Sequence, residues 1–300
     1  MTYLPSRFCT ASLALVFCFS DSASAVDEPS YFILNGNPIA AKYAGGKLMR
    51  LPTQDAYDVG GLEDLEAVSA LTKQLALKSL SARGMPIPVR ISPPRVPEYG
   101  VPMFQISADG LTERRIEASV LAWSGPALFR EVVLDRPGAT VQLRRSLVSQ
   151  SNKLLKLKLD FRLHKPVGRQ LRIEGPVKVR DYGRTSIAPH LAFIDVTWRI
   201  KDLPDALVNR GIDSISPFFR VEYVFDTRTG KPVYRNTTNV GGIEDREMLI
   251  FKEPNGPLLM AVMINCSDGA EPFIIDLERE SYGTEANSDV PEVPHCFPAQ

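Results

Sequence analysis

The side chains best suited to nucleophilic or acid–base chemistry in this sequence include its three histidines and its last two cysteines, Cys266 and Cys296. His190 ends a loop, residues 182–190, that also contains Arg184 and hydroxyl side chains. Such a set can bind a carboxylate or a sugar, because a guanidinium donates paired hydrogen bonds and a hydroxyl both donates and accepts. The alternative is an ordinary polar loop between two strands. His164 is expected in an exposed turn.

Three acids lie in or beside apolar runs and are candidates for acid–base chemistry: Asp195, Glu222 and Asp226. Asp195 is on the same side of its predicted strand as Phe193 and Thr197. A carboxyl buried among apolar neighbours has a raised pKa and can act as a general acid. The alternative turns this side toward water and buries the more apolar opposite side. Asp226 starts an Asp-Thr-Arg-Thr-Gly sequence and is expected to cap a hairpin turn.

The first 25 residues have the pattern of a secretory signal peptide. Arg7 precedes an apolar stretch, Phe8–Phe19, and Ala23 and Ala25 are at the small-residue positions of a cleavage site. Cleavage would leave a chain that starts near Val26, in the periplasm or outside the cell. The alternative is a buried N-terminal helix.

Export would leave two of the four cysteines, Cys266 and Cys296, in the mature chain. An even pair in an oxidising compartment predicts one disulfide. The alternative is a free Cys266 thiol beside His295, as a nucleophile or part of a metal site. No cysteine pair has zinc spacing, and there is no P-loop, G-x-G-x-x-G, G-x-S-x-G or H-E-x-x-H motif. We therefore expect no metal and no cofactor.

The overall charge excludes some classes of protein. Thirty-five Lys and Arg residues balance 35 Asp and Glu residues, whereas a dedicated nucleic-acid binder has a basic excess. No internal apolar run reaches the roughly 20 residues of a bilayer-spanning helix. We expect no nucleic-acid partner and no membrane span after signal removal.

The charges are unevenly distributed along the chain. Residues 144–184 contain twelve Lys and Arg against three Asp and Glu, whereas residues 244–300 contain twelve acids against three bases. A basic surface of this kind attracts an acidic polysaccharide, a lipid headgroup or an envelope protein. The alternative is that the two regions abut and neutralise each other, or that their charges form the polar side of strands. The predicted ligand-binding residues are Lys156, Lys158, Arg172, Arg184 and His190.

Hydrophobic periodicity predicts one helix and many strands. Gly60 and Gly84 bound a predicted helix with an apolar stripe and acids in its first turns. Six prolines in residues 86–102 predict an extended crossing. From residue 103 the period changes to two, and strands are predicted at 128–134, 139–147, 155–163, 170–180, 191–200, 217–226, 231–238, 246–251, 258–264 and 272–278. A short helix is predicted near 204–210.

These elements predict a mainly β fold, an antiparallel β-sandwich or barrel-like domain with one N-terminal α-helix packed on it. The expected organisation is a signal peptide over 1–25, an N-terminal segment with the helix and the Pro-rich crossing over 26–102, and an antiparallel β domain over 103–300. The function that we expect is a non-catalytic binding or envelope-assembly module for an anionic or carbohydrate ligand. The alternatives are a carbohydrate-active hydrolase or lyase, and a secreted protein-interaction or inhibitor module.

Overall fold

The computed structural model of the chain is mainly β, with antiparallel sheets and one helix in the part of the chain that it describes. That part comprises residues 28–50, 76–91, 104–109, 111, 120–136, 140–163, 172–201, 217–240, 249–266, 269–279 and 282–283. The mainly β antiparallel fold predicted from the two-residue periodicity is confirmed.

The elements follow one another along the chain in this order. The first strands are β1 (Ser30–Leu34), β2 (Asn37–Ala44), β3 (Lys47–Arg50), β4 (Leu77–Leu80), β5 (Pro86–Ile91), β6 (Ile106–Ser107), β7 (Leu121–Trp123) and β8 (Arg130–Glu131). The helix α1 (Val141–Leu163) follows, and then come β9 (Arg172–Gly183), β10 (Leu191–Lys201), β11 (Phe218–Asp226), β12 (Lys231–Val240), β13 (Leu249–Lys252), β14 (Leu259–Cys266), β15 (Gly269–Asp276) and β16 (Tyr282–Gly283).

A seven-stranded sheet has the order β3-β2-β1-β7-β4-β5-β6, so it takes strands from both sides of residue 102. Its first hairpin turns at Asn35 and Gly36, whose φ angles of 54° and 82° are both positive. A two-residue turn of this kind matches the right-handed twist of the strands that it joins, and Asn-Gly is its preferred sequence.

A four-stranded sheet, of order β15-β14-β13-β8, packs against the seven-stranded sheet through an aromatic cluster. Phe129 is at the centre of this cluster, with its ring centroid 5.6 Å from that of Phe32 and 5.2 Å from that of Phe251. Phe32 belongs to β1 and Phe251 to β13, so Phe129 joins the seven-stranded sheet to the four-stranded sheet.

A five-stranded sheet, of order β16-β12-β11-β10-β9, is covered on both faces. Ile194 and Val196 of β10 pack with Leu147 and Leu155 of α1 on one face. On the other face a second cluster joins β10 to the four-stranded sheet, through residues such as Phe193, Ile250 and Met260. A strand buried on both faces has an almost continuous apolar sequence. Residues 191–194 of β10 have such a sequence, and Asp195 and Thr197 are buried polar exceptions.

The strands predicted at 139–147 and 155–163 are wrong, because residues 141–163 form the helix α1. Its buried residues Leu147, Ser151 and Leu155 are four apart, the spacing of one helical face. Thr140 caps its first turn, with Oγ1 accepting the Leu143 N–H at 3.2 Å. Leu and Lys, which alternate in the second half of α1, both have high helix propensity, so their alternation does not require a strand.

The helix predicted between Gly60 and Gly84 is wrong in its last part. Residues 77–80 form β4, and Gly84 lies in a turn in which its N–H donates to the Ser81 carbonyl at 2.9 Å. Residues 60–75 and the short helix predicted at 204–210 lie outside the described residues. The one helix that is described is therefore α1, in the middle of the chain rather than near its N-terminus.

Candidate functional site

Two of the predicted ligand-binding residues, Lys156 and Lys158, belong to α1 instead of a strand. Alternate residues share one face of a strand, but positions two apart are about 200° apart around a helix axis. Positions 156 and 158 therefore do not share one face, as they would in the strand predicted at 155–163. Arg172 starts β9, opposite Lys201 of β10.

Arg184 and His190 lie at the two ends of the loop that follows β9. The Arg184 backbone forms a bridge with Arg136, and its guanidinium Nη1 donates to the Pro189 carbonyl at 3.2 Å. The His190 carbonyl accepts both the Thr227 N–H, at 2.8 Å, and the Thr227 hydroxyl, at 2.9 Å. These contacts fix the loop by hydrogen bonds, as in the ordinary polar loop given above as the alternative. The role of Arg184 and His190 in ligand binding stays a prediction.

Several buried polar side chains of the described residues lie together on the five-stranded sheet and are here called the polar layer. Its members come from β10, β11 and β12 and are 5% exposed or less: Asp195, Thr197, Arg220, Glu222 and Asn236. Strand register places Asp195 opposite Glu222, Glu222 opposite Asn236, and Thr197 opposite Arg220. Asp195 is 3% exposed, so the alternative that turned it toward water is wrong.

Tyr182 of β9 donates a hydrogen bond from its hydroxyl to Asp195 Oδ2, at 2.5 Å. The pairing of β9 with β10 shifts by one residue between Phe193 and Ile194, next to Tyr182. Burial, and after it the hydrogen bond to Asp195, raise the pKa of Tyr182 well above its usual value, against the opposing effect of Arg180. Tyr182 is therefore a neutral hydrogen-bond donor at physiological pH.

Glu222 is the second carboxyl of the polar layer, and it accepts a long hydrogen bond of 3.4 Å from Asn236 Nδ2. Asn236 Oδ1 and Thr197 Oγ1 are among the polar atoms of the layer that are buried without a hydrogen-bond partner among the described residues. Directly opposed residues on antiparallel strands have Cβ atoms about 5 Å apart, so the two carboxyls are neighbours, as a pair of glycosidase carboxyls must be. Asp195 and Glu222 are only 3% and 5% exposed, however, so no substrate reaches them in this conformation.

Asp226 caps the β11–β12 hairpin, as expected. Its Oδ1 accepts the Arg228 N–H at 2.8 Å, and its carbonyl accepts the Gly230 N–H at 2.9 Å. Burial alone would raise the pKa of Asp226, but the hydrogen bonds from the Arg228 side chain and backbone outweigh burial and lower it. The residue stabilises a turn.

The helix concentrates positive charge: residues 141–163 include six Lys and Arg and a single acid, Asp160. Arg144 reaches back to β9, with its Nη2 2.7 Å from Asp181 Oδ2. Arg145 and Lys153 are exposed, and neither has an ion pair within the part of the chain that is described. We call these two exposed cations the basic helix surface.

Several sequence predictions lie outside the described residues: the signal peptide, His164, His295, Cys296 and eight of the twelve acids of region 244–300. The backbone of Cys266 ends β14. Among the described residues, no three His, Cys, Asp or Glu side chains are grouped so that they could hold a metal ion. No helix in the described ranges is both long and apolar enough to cross a membrane.

Comparison with known proteins adds no functional assignment to this geometry. No known protein family, curated protein or solved structure matches the chain.

Proposed function

We propose that the protein is an exported, non-catalytic binding module that recognises an acidic polysaccharide of the cell envelope. The observation that carries this proposal is the charge of α1, in which six cations accompany one acid along 23 residues. Two of these cations, Arg145 and Lys153, are exposed and have no ion pair within the described residues, and exposed positive charge attracts polyanions. Export rests on the signal-peptide pattern of residues 1–25, and it implies a periplasmic or secreted protein with a Cys266–Cys296 disulfide.

The exposed side of α1 favours a polysaccharide over a lipid surface. Membrane-surface helices carry bulky apolar residues opposite their cations. In α1 the buried stripe of Leu147 and Leu155 is already used against the five-stranded sheet. Among the described side chains of α1, Val141 at its first position is exposed. The other exposed ones are polar or charged: Gln142, Arg144, Arg145, Ser146, Ser149 and Lys153.

The closed polar layer supports a non-catalytic function. A carbohydrate-active enzyme needs two carboxyls, or a Tyr or His with an Arg, in a cleft that a substrate can reach. The two carboxyls of the polar layer, Asp195 and Glu222, are both buried. Their opposed position on β10 and β11 is nevertheless the observation that favours the alternative, a carbohydrate-active enzyme. Hydrolysis of a polysaccharide by the wild-type protein but not by an Asp195→Asn variant would support that alternative.

The binding proposal is tested by measuring the affinity of the full exported chain for polygalacturonate, with dextran as the neutral polymer. The double variant Arg145→Glu/Lys153→Glu should weaken polygalacturonate binding about fivefold or more at low salt, and less at physiological salt, because exposed charges are screened over about 8 Å. A second variant, Lys156→Glu/Lys158→Glu/Arg172→Glu, tests the residues predicted from the sequence.

A matched control reverses two exposed lysines on other elements, Lys47 of β3 and Lys231 of β12. It changes the net charge by the same amount as Arg145→Glu/Lys153→Glu. Because neither lysine lies on α1, it should leave most of the affinity for polygalacturonate intact. Equal losses in both double variants, or no binding of polygalacturonate by the wild type, would contradict the proposal. Binding to anionic vesicles but not to polygalacturonate would replace the polysaccharide by a lipid headgroup.

A further inference from the structure

A surface pocket separate from the basic helix surface has the features of a small-molecule site. It has a volume of about 380 Å³, within the range of about 300–1,000 Å³ that ligand pockets occupy. Three parts of the chain form its walls: residues 130–135 at and after β8, residues 185–187 of the loop after β9, and Lys252 with Pro254 after β13.

Backbone hydrogen bonds hold these walls together. The Val132 N–H donates to the Ile250 carbonyl at 2.8 Å, and the Asp135 N–H donates to the Arg184 carbonyl at 3.0 Å. In the loop, the Ile187 N–H donates to Thr185 Oγ1 at 3.3 Å. Because the walls are tied to each other, the pocket exists before a ligand binds, and binding does not have to order them.

Two cations face each other at this pocket. Arg130 of β8 is directly opposite Lys252 of β13 in the strand register. Like charges directly opposite each other destabilise a sheet, and neither side chain has an ion pair within the described ranges. An anion between them would remove this repulsion and accept charge-assisted hydrogen bonds from both.

The same pocket exposes apolar surface that nothing in the described part of the chain covers. Val133 is 70% exposed and Ile187 is 52% exposed, and both line it. Two acids also line the pocket. The Glu131 side chain is directed toward Gly84, where its Oε2 would be 3.0 Å from an added Cβ. Asp135 is exposed. The lining therefore has two cations and two acids, and the two cations lie opposite each other on β8 and β13.

From these observations we infer that the pocket binds a small carboxylate with an apolar body, of the class of medium-chain fatty acids. Arg130 and Lys252 bind the carboxylate, and Val133 and Ile187 contact the hydrocarbon chain. This site uses none of the residues of the basic helix surface, so it does not depend on the polysaccharide proposal.

Octanoate is a suitable probe, with acetate and octylamine as controls that lack the apolar chain or the negative charge. Calorimetry on the full chain should detect octanoate, much weaker acetate and no octylamine. Arg130→Gln and Lys252→Gln should each weaken octanoate binding about fivefold to tenfold, since each removes a charged donor at a partly exposed site. Ile187→Ser should weaken it about threefold or more through lost apolar contact.

Matched controls are Arg90→Gln on β5 and Lys47→Gln on β3, two exposed cations outside the pocket lining. They should bind octanoate as the wild type does. A second measurement follows the Val133 and Ile187 methyl signals by NMR, which should shift with octanoate. Absence of binding, equal binding of octylamine, or undiminished binding by Arg130→Gln/Lys252→Gln would overturn the inference. Retained polygalacturonate binding in that variant would show that the octanoate pocket and the basic helix surface are independent sites.

Discussion

Replacing Asp195 by Asn distinguishes a structural role of the polar layer from a catalytic one. The carboxylate of Asp195 is 3% exposed and accepts the Tyr182 hydroxyl at 2.5 Å. A hydrogen bond to a charged group contributes about 1.5–3 kcal/mol. If the layer is structural, Asp195→Asn should lower the free energy of unfolding by about that amount, out of the 5–15 kcal/mol typical of a folded protein. Removal of a strained catalytic group commonly stabilises a protein instead.

A double-mutant cycle isolates the Tyr182–Asp195 pair from its surroundings. Tyr182→Phe leaves the buried carboxylate without this donor and should also cost about 1–3 kcal/mol. The double variant should lose less than the sum of the two single changes, with a coupling energy well above the roughly 0.5 kcal/mol within which independent sites add.

Thr197→Val is the matched control in the same layer. The Thr197 hydroxyl is buried without a partner among the described residues, so its replacement by a methyl group should be neutral or stabilising. Urea unfolding of all four variants can be followed by the fluorescence of Trp198, which packs between β10 and α1. A stabilised Asp195→Asn variant, or additive single changes, would refute the structural role and favour the carbohydrate-active enzyme.

Two further predictions concern the stability of the protein at high pH and the processing of the exported chain. Tyr182 and Tyr43 have pKa values raised above 10.0, by burial and then by hydrogen bonds to Asp195 and Glu253. Above pH 10 the unfolded chain therefore binds fewer protons than the folded one, and stability falls as the pH rises. Tyr182→Phe should make the decline of the urea midpoint with pH shallower. An unchanged decline would contradict the raised pKa of Tyr182. Mass spectrometry of exported, unreduced protein should give a chain that starts at or near Val26 with no free thiol, whereas two alkylated cysteines would support the nucleophile alternative.

The strands with an apolar face were largely predictable from the sequence. Runs such as 191–200 and 217–226 correspond closely to β10 and β11, because apolar strands bounded by turn residues leave a clear pattern. The hairpin role of Asp226 was predictable for the same reason, since an Asx side chain bonds the backbone two residues on.

The helix and the polar layer were not predictable in the same way. Alternating Leu and Lys in 155–163 satisfies a two-residue period, while the buried stripe of α1 is set by Leu147, Ser151 and Leu155, one of which is polar. Ser151 is buried because its hydroxyl accepts a 2.9 Å hydrogen bond from Trp198 Nε1, a contact between residues 47 positions apart. The burial of Asp195 likewise depends on a second sheet covering β10. The sequence of β10 alone does not specify that sheet.

The burial of β10 on both faces has a consequence for how the sequence can vary. Its apolar side chains belong to one of two interfaces, with the helix or with the four-stranded sheet, and every residue from Leu191 to Trp198 is buried. A larger residue at Ile194 cannot be accommodated by moving the strand away from α1, because Phe193 would then press into the opposite interface. Acceptable substitutions on β10 should therefore arise in pairs, one in the strand and one in the layer that it touches. A repacked variant library would have to include both layers together.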